Sequence, residues 1–137
     1  MGTWDSGPFD NDSAANFASH LDSLAEDKRA DAIREALHVA AHYDKDDYMD
    51  STDGAFAIAA AALVAHELAV GTSVVSSSLG PKQPLPPLPP ELKSLAIAAI
   101  DRTMAANSEL NALWSEGSDD TAWHRGNREL RAALSTA

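Results

Sequence analysis

Residues 55–70 read Ala-Phe-Ala-Ile-Ala-Ala-Ala-Ala-Leu-Val-Ala-His-Glu-Leu-Ala-Val, with no polar position before His66 and Glu67. Alanine is the strongest helix former, and a helix that is apolar on every side must be surrounded by protein. The run is too short for a membrane span, which needs ~20 apolar residues, and it begins just after Asp53. Ser51, Thr52 and Asp53 before it are N-cap residue types, and Gly71 after it is a residue type that ends helices. The stretch therefore predicts the buried central helix of a small bundle. Its large contacts are Phe56, Ile58, Leu63, Val64 and Leu68, and its alanines allow neighbouring helices to come close.

The rest of the chain supplies those neighbours. Its 137 residues fit one domain, 1–137, large enough to bury a core without disulfides, and there is no cysteine to form them. Residues 1–10 hold too many turn formers for a helix, so Trp4 and Phe9 are expected to pin an irregular segment onto the bundle. Ala14, Phe17, Ala18, Leu21, Leu24 and Ala25 then fall at helical spacing. A second helix is predicted from Asp27 to Tyr43, with Ile33, Ala36, Leu37, Ala40 and Ala41 inward. Residues 72–90 form a Ser/Pro-rich connection, of which the proline-dense part, residues 80–90, cannot be helix interior and ends with Pro90 in the first turn of the next helix. That helix is expected from Glu91 to Ala106. A short one follows, capped by Asn107 or Ser108 and carrying Trp114. A last one, Asp120 to Ser135, carries Trp123. The fold class is all-α, with about six helices. There is no strand alternation, internal repeat or heptad run from which an oligomeric state would follow.

Charge is unevenly spread. Of the net −11, residues 1–53 carry −9, from 13 Asp/Glu against 4 Lys/Arg, whereas residues 91–137 carry only −2. Such an acidic first third disfavours nucleic acid and anionic membrane as partners and favours a basic protein. With no basic n-region and no apolar h-region at the start, no secretory signal is expected, and the expected location is cytoplasmic.

Two motifs resemble a known family. The opening Gly2-Thr3-Trp4-x-x-Gly7-Pro8-Phe9-Asp10-Asn11-Asp12-x-Ala14-Ala15-x-Phe17 is similar to the signature of a bacterial family, domain of unknown function 4259. Ser108-Glu109-Leu110-x-x-Leu113-Trp114, then Trp123 and Leu130-Arg131-x-x-Leu134, resembles its C-terminus. The chain departs from the family at Asp5, where Gly is usual, and is longer between Gly71 and Pro84. The resemblance implies a shared fold unit. It brings no activity, cofactor or site residue with it.

Candidate chemistry is sparse. His38 and His42 stand i, i+4 on the second helix, and Asp46 continues their stripe if that helix runs far enough, so the three could hold a divalent metal. Without a third ligand they are two solvent-facing histidines. His66-Glu67 starts like H-E-x-x-H, but Val70 occupies the partner position and the motif fails. Treating Asp44 as the first ligand of a calcium loop puts Met49 where Gly is needed and Ala55 where Glu is needed, so the run is not an EF-hand. No nucleophile elbow, Walker loop or dinucleotide fingerprint is present, so no catalytic residue and no cofactor are expected. The expected function is an acidic helical binding module of the inhibitor or immunity type, engaging a basic protein. Its face would be Asp44, Asp46, Asp47 and Asp50, with Tyr48 and Met49 as apolar anchors. The alternative is a small enzyme or ligand-binding domain built on His38, His42 and nearby carboxylates, with a divalent metal.

Overall fold

The computed structural model describes residues 12–44, 46–68, 88–115 and 121–136. Trp4, Phe9, Gly71 and the connection up to residue 87 lie outside them. Six helices are seen: α1 (Asp12–Ser23), α2 (Glu26–Ala41), α3 (Ser51–Leu68), α4 (Leu92–Thr103), α5 (Glu109–Trp114) and α6 (Ala122–Thr136). No strand occurs among the described residues, and no helix there is long and apolar enough to cross a membrane.

Helix α3 packs against each of the other five. Ala59, Ala60, Ala61 and Ala62 occupy a full turn and all are 0% exposed, so every face of α3 is covered there. Ile58, Leu63 and Val64 are buried with them, whereas Phe56 is only half-buried. Small side chains set the packing distance. At Gly54 an added Cβ would lie 3.2 Å from Thr103 Cγ2 and 3.4 Å from Leu110 Cβ, so α4 and α5 approach the α3 backbone directly.

The ends of the helices differ from the sequence expectation for identifiable reasons. Helix α3 starts before the alanine run, at Ser51, because Asp50 serves as its cap: Asp50 Oδ1 accepts the Asp53 N–H at 2.9 Å. Ser51 and Asp53 are therefore first-turn residues rather than caps. A second free N–H, that of Ser51, donates to Glu109 Oε1 of α5 at 2.8 Å. Helix α2 stops at Ala41 rather than Tyr43. Helix α4 stops at Thr103 rather than Ala106, and the chain then turns so that Asn107 O can accept the Met49 N–H at 2.9 Å. Of the two offered caps for α5, Ser108 is used, its hydroxyl accepting from Asn111 N–H. Arg29 is buried although it is charged, and its Nε donates to Leu21 O at 3.0 Å at the end of α1.

Candidate functional site

Between α2 and α3 the chain carries its acidic run. Asp44, Asp46, Asp47 and Asp50 are all exposed, and Tyr48 beside them is 59% exposed. Two of these carboxylates have local structural work. Asp44 Oδ1 accepts the Asp46 N–H at 2.9 Å, tightening the turn, and Asp50 caps α3. No such bond involves the carboxylates of Asp46 and Asp47 among the described residues.

Beneath the turn lies Arg102 of α4. Its guanidinium donates to the carbonyls of Asp44 and Asp47 and, at 3.0 Å, to Asn107 O, and it sits 5.3 Å from the centre of the Tyr43 ring. A rigid fork of donors suits this clamp on several oxygens at once. The cation holds the backbone of the turn while the aspartates face outward. Met49, expected as an interface anchor, is instead 0% exposed. Its N–H and C=O pair with Asn107 and Glu109 around a parallel bridge to Ser108, and Thr103 Oγ1 lies 3.8 Å from its sulfur. The pairing turns its side chain into the core, so it is not available to a partner.

Of the histidine stripe, two of the three expected members come together. His38 and His42 stack with ring centres 4.0 Å apart, and His42 Nδ1 lies 3.1 Å from His38 O. Because α2 ends at Ala41, Asp46 belongs to the turn and not to their stripe. Among the described residues no three His, Asp or Glu side chains gather where they could hold a metal ion.

A pocket of about 210 Å³ opens where α1, α2 and α3 meet. Phe17, Phe56, Ala32, Ala36 and Val39 line it, with His20, Glu35 and Asp53 as its polar groups. The rings of Phe17 and Phe56 meet in a tilted pair at 5.3 Å. Partial burial, and then the neighbouring Asp50, hold the Asp53 carboxyl above the usual Asp range. Asp53 is thus shared between the pocket and the α3 cap, which joins the pocket to the acidic turn. The sequence held a signal for this: Ala32, Ala36 and Val39 form a second apolar stripe beside the core stripe of Ile33, Leu37 and Ala40.

A polar node lies where α5 meets α6, with Trp123 packed in one cluster with Leu110 and with Ala55 near the start of α3. Trp114 and Trp123 stack with ring centres 5.9 Å apart and planes within 2°, and Trp123 also meets His124 edge-on. Buried His124 has its Nδ1 facing both the N–H of Thr121 at 3.3 Å and the Thr121 hydroxyl at 2.8 Å. Its Nε2 faces Asn111 Oδ1 at 3.2 Å and Ser115 Oγ at 3.1 Å. An amide N–H can only donate, so Nδ1 accepts and the ring proton sits on Nε2. That tautomer has no lone pair to take a proton from Ser115, so the pair is a structural tie and not an activated nucleophile.

The model of the family described as Domain of unknown function (DUF4259) matches residues 2–126. The chain belongs to this family. The match ends within α6, ahead of the Leu130-Arg131-x-x-Leu134 segment. No curated protein and no solved structure matches the chain.

Proposed function

We propose that this member of the DUF4259 family is a non-enzymatic binding module that engages a basic protein in the cytoplasm, as an inhibitor or immunity protein does. The observation that carries the reading is the acidic turn. Among the described residues the cation that holds the turn, Arg102, is committed to backbone carbonyls, and the exposed carboxylates of Asp46 and Asp47 make no hydrogen bond. Like charges held together repel, and a cationic partner relieves that repulsion and is steered in by it. Tyr48 supplies the amphipathic aromatic group typical of interface centres. The same field repels nucleic acid and anionic membrane.

Asp46→Asn with Asp47→Asn tests the reading, because neither carboxylate supports the turn or the α3 cap. Affinity capture from source cells would identify the partner, and titration calorimetry would then compare the two proteins. The double variant is expected to bind at least about tenfold more weakly at low salt, with the difference shrinking as salt rises. Its stability should stay within about 0.5 kcal/mol of wild type. Equal binding at low and high salt would place the recognition face elsewhere.

A further inference from the structure

We infer that the pocket between α1, α2 and α3 receives one large apolar side chain of the basic partner, with an adjoining Lys or Arg held at the Glu35–Asp53 rim. This deepens the reading of an acidic module for a basic protein and rests on it. Size is the first argument. Small-molecule and cofactor sites occupy ~300–1,000 Å³, and a cavity of ~150 Å³ holds a single benzene ring. A pocket of about 210 Å³ therefore matches one Phe, Leu or Met side chain in size.

Lining is the second. Phe17, Phe56, Ala32, Ala36 and Val39 offer an apolar interior that is open to solvent, with Val39 itself 41% exposed. The third is charge: among the described residues, the ionisable groups lining the pocket are Glu35, Asp53 and His20, with no Lys or Arg. Asp53 lies beside Asp50 and is partly withdrawn from water, and both disfavour its charged form. A cation at the rim would favour that form. An apolar side chain flanked by positive charge matches both features, and an anionic or purely apolar segment matches only one. The shared Asp50–Asp53 junction makes pocket and acidic turn one continuous face.

Blocked tripeptides serve as probes on the full chain: acetyl-Lys-Phe-Lys-amide, acetyl-Glu-Phe-Glu-amide and acetyl-Lys-Ala-Lys-amide. Binding is followed through the amide NMR resonances of Ala32, Ala36, Val39 and Asp53. The Lys-Phe-Lys peptide is expected to shift these resonances saturably, with the other two weaker by about tenfold or more. Asp53→Asn should weaken Lys-Phe-Lys and leave Glu-Phe-Glu no weaker, and Ala36→Leu, which fills the pocket, should abolish both. Asp53→Asn removes no apolar contact, so it decides the matter even if Ala36→Leu fails to fold.

Three results would overturn the proposal. They are no saturable shift at these residues, equal binding of Glu-Phe-Glu, and binding that appears only after Trp4→Ala or Phe9→Ala. The last would give the pocket to the chain's own N-terminal side chains. None of these measurements uses the natural partner. If that partner is lost on changing Asp46 and Asp47 but no peptide enters the pocket, the acidic module stands and the pocket's role falls.

Discussion

Asp53 illustrates how one side chain can be at odds with the fold that contains it. Partial burial and the charge of Asp50 raise its pKa in the folded protein. A carboxyl raised in this way binds more protons folded than unfolded, so stability falls as pH climbs from the ordinary Asp value through the raised one. Asn in its place keeps the backbone N–H that Asp50 accepts and carries no charge. Asp53→Asn should therefore gain on wild type as pH rises through that window and hold its gain at neutral pH. Thermal melts of both proteins across the acidic range check this, and a constant difference would contradict it. Arg102 has the opposite role. Its guanidinium holds the carbonyls of Asp44, Asp47 and Asn107 under a crowd of carboxylates. Arg102→Ala should cost about 1.5–3 kcal/mol, the scale of hydrogen bonds to a charged group. Arg102→Lys should restore only part of that, since an ammonium lacks the planar fork. Added salt should stabilise Arg102→Ala more than wild type, by screening the repulsion that Arg102 normally offsets. Denaturant melts at two ionic strengths measure both effects.

At the scale of the helix, two glycines separate propensity from packing. Gly126 lies within α6, is exposed, and has nothing within 4 Å of where a Cβ would be. Gly126→Ala should stabilise the protein by up to about 1 kcal/mol, because alanine loses less backbone entropy on becoming helical. Gly54 is also helical, but there a side chain meets Thr103 and Leu110 within 3.2–3.4 Å. Gly54→Val should destabilise by about 1–3 kcal/mol, the usual cost of overpacking, despite leaving an unfavourable helix residue behind. Opposite shifts in melting temperature for the two variants are the expected outcome. Helices α4 and α6 are further linked by Arg131 and Asp101, whose Nε–Oδ1 contact is 2.6 Å. Both side chains are about half-exposed, so this pair orients the helices more than it stabilises them.

For the whole molecule, the bundle was legible because its strongest signals are local. An alanine run without a polar side demands burial wherever the chain goes, and i, i+3, i+4 spacing marks a helix face before any partner is known. The central place of α3, the six helices and the core positions Phe17, Leu21, Ile33, Leu37, Leu92 and Ile100 follow from that. The acidic turn was equally legible as composition. Its internal arrangement was not. Met49 looked like an exposed anchor because its sequence neighbours are polar, yet it is drawn inward by a backbone pairing with residues 107–109. No local pattern singles out Arg102, because two of the carbonyls it holds, those of Asp44 and Asp47, are 58 and 55 positions away. Similarly, the pocket needs Phe17, Val39 and Asp53 from three helices at once. Helix formation and amphipathicity are properties of neighbouring residues, so the sequence by itself determined an acidic, all-helical chain folded round one alanine-rich helix. Which carboxylates cap and which stay free, which cation lies under them and where an apolar pocket opens depend on contacts between distant segments. Those were decided only when close packing on α3 brought the segments together.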